Sequence, residues 1–360
     1  MNYDLVNFFQ NKKILITGHT GFKGAWLTQI LLNWGAKITG ISLAPNTTPN
    51  LFTALKIEDQ ILNHFVDIRN YEKIKKVIST EKPDIVFHLA AQPLVRDSYD
   101  DPLYTYETNV IGTANVLQTI KKVASVKAAL IITTDKVYEN KEWIYPYREI
   151  DKLGGYDPYS ASKAAADIVS QSYIKSFFNP EKYGKDHHTL VAIARAGNVI
   201  GGGDWSKDRL IPDIVRAIYE EKREIVLRNP QSIRPWEHVL ESLMGYLILA
   251  RHLFDGKKEF SQAWNFGPND ESFITVEEIT QQAVQICQQG KYKIQSDQSK
   301  HEAHFLKLDA SKAKSLLDWQ PQLPIKEALE WTFQWYKTYY TKADQIEDFT
   351  KEQINKFFSQ

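Results

Sequence analysis

The tightest constraint on this chain is Gly18-His19-Thr20-Gly21-Phe22-Lys23-Gly24, which directly follows an apolar run and opens a helix-like segment. Strand, glycine turn and helix in that order build a cradle for a dinucleotide pyrophosphate. Gly18 permits the tight turn, Gly21 lets backbone N–H groups approach an anion, and Gly24 lets the helix sit close to the sheet. Lys23 sharpens the reading. A cation in the first turn of a helix opposes the macrodipole by roughly 0.3–1 kcal/mol, a cost that vanishes if an anion binds there. His19 is positioned to reach the same anion or to serve as a plain turn residue, and Thr20 and Phe22 complete the loop.

Beyond the loop, β-rich runs alternate with helix-like segments. KKILIT, KITGIS, HFVDI, DIVFHLA, AALIITT and TLVAIAR read as buried parallel strands. Residues 24–34, 71–80, 102–123 and 159–177 carry helical periodicity between them. The pattern predicts an α/β fold, a Rossmann-like doubly wound parallel sheet. After Arg195 the rhythm changes to the loop GNVIGGGDW and the stretch RNPQSIRPWEHV, with helices over 211–221, 276–289 and 325–340. We therefore expect residues 1–195 with 236–266 to form the cofactor domain, and 196–235 with 267–360 a smaller C-terminal α/β substrate-binding region. The charged tail, 341–360, is expected as a terminal helix against the body or a partner.

Lys plus Arg equals Asp plus Glu at 44 each, so no global field attracts nucleic acid or an anionic membrane, and phosphate attraction must be local. The single cysteine, Cys287, cannot form an internal disulfide, which suits a reducing compartment. No apolar segment is long enough to span a bilayer, and residues 1–10 do not read as a secretory signal, so a cytoplasmic location is expected. The histidines and the cysteine lack zinc-type spacing, and no metal is expected.

Tyr159 and Lys163 stand in YSASK, four residues apart on a predicted helix, and so share one face. An ammonium about 4 Å from a phenol at an effective dielectric of about 20 favours the phenolate by roughly 4 kcal/mol. That would move a phenol from about 10 toward 7, where it serves as a general base. Upstream, Thr134, Asp135 and Lys136 end the fifth strand at the carboxyl edge, where such sheets bind ligands.

Together the glycine loop, the strand-end Thr and the YxxxK motif resemble the extended short-chain dehydrogenase/reductase family over nearly the whole chain. Within it, GHTGFKG, AAQPLVRDSYDDP, TTDKVYEN, GGYDPYSASK, RAGNVIGGGDW and SIRPWEHV resemble the nucleotide-sugar 4,6-dehydratases that act on CDP-linked glucose. The resemblance implies NAD as cofactor, a nucleotide-sugar substrate and a homodimer or homotetramer. It also implies catalysis by Thr134, Asp135, Tyr159 and Lys163. Related dehydratases place Glu after the acid as the C5 base; this chain has Lys136, which either acts as that base or stabilises an enolate electrostatically. The second strand ends without the usual ribose-binding carboxylate, but no arginine marks NADP there either.

By the same resemblance, Asp67 and Ile68 meet the adenine, and Leu89, Ala90 and Ala91 line the ribose. Asn109 bonds strand backbone. Arg234 grips the substrate pyrophosphate, with Asn198, Arg209, His238 and Asn265 around the nucleotide and Gln92 and Arg96 on the sugar side. The competing readings are another nucleotide-sugar dehydratase (dTDP-glucose or GDP-mannose), a 4-epimerase, and a noncatalytic NAD(P)-binding regulator.

Overall fold

A computed structural model describes residues 4–295 and 306–359; the last residue of the predicted tail, Gln360, lies outside them. Seven strands form one parallel sheet: β1 (Lys13–Thr17), β2 (Lys37–Ser42), β3 (Leu62–Phe65), β4 (Ile85–His88), β5 (Ala128–Ile132), β6 (Leu190–Ala196) and β11 (Ala263–Phe266). Their spatial order is β11-β6-β5-β4-β1-β2-β3. The order reverses between β1 and β4, and a cleft opens at the carboxyl ends of that pair.

The middle strands read as continuous apolar runs because both faces are covered. Every residue of β4, β5 and β6 is buried. Along β1, Ile14 and Ile16 pack into one core and Leu15 into the other, as a two-residue period requires. The third strand begins and ends earlier than the HFVDI prediction. Its ladder stops at the Ser42–Phe65 pair, and the Asp67 carboxylate then turns the chain by accepting from the Arg69 N–H at 2.8 Å.

The largest addition to the predicted elements is the helix Val239–Phe254, which packs against β5 and β6 and is buried on nearly every side. It carries too little polar face for amphipathic periodicity to reveal it. Strand β11 escaped notice for a related reason: AWNF is short and lacks β-branched residues, and it pairs with β6 only at the tertiary level.

Between β6 and β11 come four short strands: β7 (Val199–Ile200), β8 (Ile225–Leu227), β9 (Ile233–Pro235) and β10 (Glu237–His238). Parallel pairing of β7 with β10 draws the RAGN and SIRPWEHV segments together at one wall of the cleft. The tail helix Ile346–Phe358 lies on the body: Trp335 Nε1 donates to Thr350 Oγ1 at 2.8 Å, and Phe358 meets Trp34 edge-on at 4.8 Å. Among the described residues no helix is long and apolar enough to cross a membrane.

Candidate active site

At the end of β1, Gly18 has φ +79°, and a Cβ there would lie 2.6 Å from the Ala90 nitrogen; a Cβ on Gly24 would lie 2.1 Å from the Gly18 carbonyl. Only glycine lets the loop, the β4 exit and the helix Phe22–Asn33 approach this closely. Gly21 caps that helix without a side-chain hydrogen bond, so first-turn N–H donors remain for a ligand. The Thr20 hydroxyl ties the loop to Ser42 Oγ at 2.8 Å and to the Leu43 carbonyl at 2.9 Å. A cavity of about 1660 Å³ runs from this cradle to the C-terminal region. Single-ligand pockets are commonly about 300–1,000 Å³, so there is room for two ligands.

Thr134 caps the short turn Asp135–Val137, and its hydroxyl donates to Asp135 Oδ1 at 2.8 Å. Burial pushes the Asp135 carboxyl above the usual aspartate range, against the pull of Lys136, the Thr134 hydrogen bond and Arg234. A Cβ on Gly197 would stand 3.4 Å from Asp135 Oδ2, which shows how closely RAGN backs the acid. Lys136 lines the same cavity.

Tyr159 and Lys163 occupy the first turns of the helix Pro158–Phe177, which Asp157 caps by accepting from the Ser160 N–H at 2.9 Å. Their electrostatics differ from the sequence expectation. Lys163 Nζ donates to the Ile132 carbonyl at 2.8 Å, and burial lowers its pKa to about 8. Burial raises the Tyr159 phenol to about 12, while the Thr134 hydrogen bond and Arg209 pull it back. One Lys163 N–H is spent on the strand end, and burial outweighs the groups that favour the phenolate.

Among the other predicted positions, Ile68, Leu89, Ala90, Ala91, Asn198 and Arg234 line the cavity. Asp67 also lines it; burial opposes its charge, but bonds from Arg69, 2.7 Å away, hold the carboxylate below its usual range. Arg96 pairs with Asp208 at 2.9 Å and Arg209 with Asp204 at 3.1 Å, so both substrate-side arginines are held by acids of the loop after β7. Asn109 bridges the Gln92 backbone to Ser162 Oγ, the latter at 2.8 Å.

Four of the predicted side chains are held by other contacts in the structure. The His19 ring turns away from the cleft, fully buried, with Nε2 2.8 Å from Asn63 Oδ1, and it packs where a Cβ on Gly40 would clash at 2.6 Å. His238 is enclosed between the Trp26 and Trp331 rings, 6.0 and 5.9 Å away, and burial holds its imidazole neutral with a pKa of about 3. Asn265 is spent on Tyr138 Oη and the carbonyls of Tyr147 and Asp309, a brace behind β6. Gln92 borders the cavity, but its side chain is engaged by Leu94 and Thr105 and shapes the loop instead of reaching outward.

The GDP-mannose 4,6 dehydratase family model matches residues 15–332. The chain belongs to that family. A CDP-glucose 4,6-dehydratase of Salmonella typhimurium is 47% identical over 341 residues, covering 94% of each chain. A UDP-glucose 4-epimerase of Mycoplasma pneumoniae is 26% identical, covering 92% of this chain and 98% of its own. Among solved structures, a dTDP-glucose 4,6-dehydratase from Streptomyces venezuelae with NAD and TYD bound superposes with a TM-score of 0.76 at 22% identity, covering 94% and 99%. Membership places the chain among the extended short-chain dehydrogenase/reductases, as its motifs resemble.

Within this family fold, sequence reasoning missed one part of the site and the side-chain contact of another. The exit of β2, from Ser42 through Thr47 with Asn50, lines the cleft where a carboxylate was sought and is absent. Lys23 borders the cavity, but its Nζ donates to the Oη of the buried Tyr246 at 3.3 Å. The only sequence signal for that contact was a lysine where the helix dipole disfavours one.

Proposed function

We propose that this chain is a CDP-glucose 4,6-dehydratase using NAD. The observation that carries the dehydratase reading is Asp135: a buried acid, bonded by Thr134, facing the same cavity as Tyr159. A simple 4-epimerase needs no acid there. The choice of CDP rests on the 47% identity, over 94% of each chain, to the Salmonella enzyme.

The residues present fit a dinucleotide: an uncapped helix start, a cradle that any Cβ at Gly18 or Gly24 would fill, and room in the cavity beside it. Gly18, Thr20, Gly21, Phe22, Lys23 and Gly24 would hold the pyrophosphate side, with Asp67, Ile68, Leu89, Ala90 and Ala91 along the adenosine. NAD bound there supplies the hydride acceptor at C4 and the donor at C6. Tyr159 takes the proton of the sugar 4-hydroxyl while Thr134 steadies the same oxygen, and Lys163 favours the phenolate electrostatically. The resulting 4-ketone acidifies the C5 proton. As that proton leaves, Asp135 gives its own to the departing 6-hydroxyl, and water is lost across C5 and C6. Lys136 either accepts the C5 proton or stabilises the enolate; loss of solvent deuterium at C5 in Lys136→Ala, with C4 oxidation intact, selects the first. Arg209 and Arg234 hold the substrate diphosphate, with Asn198 and Arg96 nearby.

Exposed Leu103, Ile111, Ile168 and Phe177, on the helices that follow Asp101 and Asp157, support a homodimer through those helices. Residues 196–235 with 267–360 form the substrate-binding part of this reading, and a cytoplasmic role in deoxysugar supply for surface polysaccharide accompanies it. One incubation with CDP-, dTDP-, GDP- and UDP-glucose plus NAD, followed by the alkaline absorbance of the 4-keto product, tests the proposal. Turnover confined to CDP-glucose is expected; preference for another base overturns the nucleotide assignment, and an epimer as product overturns the reaction.

A further inference from the structure

The second strand ends where a dinucleotide fold ordinarily places an acid for the adenine ribose, and in this chain Ser42 stands there. Its backbone is fixed by β3: Ser42 pairs with Phe65, and its carbonyl accepts from the Val66 N–H at 2.8 Å. Its side chain is buried against the glycine loop, with Oγ 2.8 Å from Thr20 Oγ1, and both residues line the cavity.

Thr20 and Ser42 each have one hydroxyl proton to give. That of Thr20 goes to the Leu43 carbonyl at 2.9 Å. In the 2.8 Å contact between the two hydroxyls, Thr20 therefore accepts and Ser42 donates. With its proton spent, Ser42 Oγ keeps only lone pairs for a third group. It is a neutral acceptor, oriented by the loop that would hold the pyrophosphate, at the place where such folds put a carboxylate.

The neighbouring wall is unsuited to an added phosphate. Its cavity-lining residues, within 42–51 and 66–68, include no lysine or arginine, but they include the Asp67 carboxylate. Arg69, next along the chain, is already bound to Asp67 at 2.7 Å and to Glu107 at 2.9 Å, with its guanidinium 4.6 Å from the centre of the Tyr104 ring. Asn50 spends its amide on the Thr47 carbonyl and the Thr53 N–H. We propose, building on NAD as the cofactor, that Ser42 selects a dinucleotide whose adenosine 2′-hydroxyl is free. That hydroxyl donates to Ser42 Oγ, whereas a 2′-phosphate brings only acceptors and negative charge to an oxygen with no proton to offer. Selection here works through hydrogen-bond polarity, and its grip on the ribose is weaker than a carboxylate's, whose charge-assisted bonds are roughly twice as strong.

Fluorescence titration of the full chain, stripped of nucleotide, with NADH, NADPH and NADH lacking the adenosine 2′-hydroxyl tests this without turnover. The wild type should bind NADH more tightly than NADPH by roughly 5-fold or more, the cost of leaving polar groups unpaired. It should prefer NADH to the 2′-deoxy analogue by roughly 2- to 10-fold, the worth of one neutral hydrogen bond. Ser42→Ala should weaken NADH by a similar factor and abolish its advantage over the 2′-deoxy analogue. Thr20→Val removes the acceptor of the Ser42 proton, which frees Ser42 to donate, and should narrow the gap between NADH and NADPH by roughly 2-fold or more. Should S42A not fold, Ser42→Gly removes the same hydroxyl. A 2′-deoxy penalty as large in the folded variant as in the wild type overturns the proposal, as does a wild type that binds NADPH as tightly as NADH or an unchanged gap in T20V. Failure of the NAD reading looks different, because the wild type would then bind neither reduced dinucleotide.

Discussion

Two buried charge clusters flank β5 and β6, and they are built on opposite principles. In the first, Asp167 accepts from Arg195 Nε and Nη2 at 2.8 Å each, from Gln171 at 2.8 Å and from Thr133 at 3.2 Å. Arg195 Nη1 also donates to Tyr138 Oη at 2.8 Å and to the Glu149 carbonyl at 3.1 Å. In the second, Glu237 has no hydrogen-bond partner for either oxygen, and burial raises its pKa against the opposing pull of Lys23. Glu237 is nearly as buried as Asp167 and Arg195, so burial of the acid alone does not separate the two. Hydrogen-bond satisfaction does. A saturated ion pair fixes one geometry and keeps both charges, whereas a buried carboxyl without hydrogen bonds is pushed toward its neutral form.

The largest effect that can break this contrast is Asp167→Ala. It strands a buried guanidinium and should cost about 3–5 kcal/mol in urea unfolding. A loss below about 1 kcal/mol would show that the saturated cluster is not structural. Asp135→Asn should do the reverse, slowing elimination by roughly 10²-fold or more while stability stays within about 1 kcal/mol and C4 oxidation persists in single-turnover absorbance. Equal loss of both half-reactions would remove Asp135 from the acid role.

A smaller effect follows from the sign of the Glu237 shift. Burial raises its pKa above the unfolded value, with Lys23 opposing, so the folded state keeps a proton that the unfolded chain has released. Stability from this group is complete below the ordinary glutamate range and is lost as pH rises through the raised value. Glu237→Gln should therefore flatten the decline of stability with rising pH above about 5, measured as urea midpoints at several pH values. A decline as steep as the wild type's would assign it to other groups. Smallest of all, His238→Phe should leave KM and kcat within about twofold and stability within about 1–2 kcal/mol, because the ring packs between two tryptophans outside the cavity. A large rise in KM would return His238 to the substrate.

How much was legible depended on the range of the interaction. The glycine loop was legible because a positive φ and a close approach can be read from glycine spacing, and Tyr159 with Lys163 because four residues place them on one helix face. What their atoms touch was not. Lys163 reaches the end of β5 instead of tuning the phenol alone, and His19, in the middle of the motif, faces β3. The helix Val239–Phe254 was hidden by its uniform apolarity, which removes the period that marks a helix.

The sequence by itself determined the strand-and-helix alternation, the cofactor turn and the placing of Thr134, Asp135, Tyr159 and Lys163 at strand and helix ends, since each follows from local periodicity and steric allowance. Only the tertiary structure decided that His19, His238 and Asn265 are held as braces and that β11 completes the sheet. Those outcomes turn on which distant segments share a wall, and the electrostatic interactions that result depend on distance and burial, neither of which a linear order of residues contains.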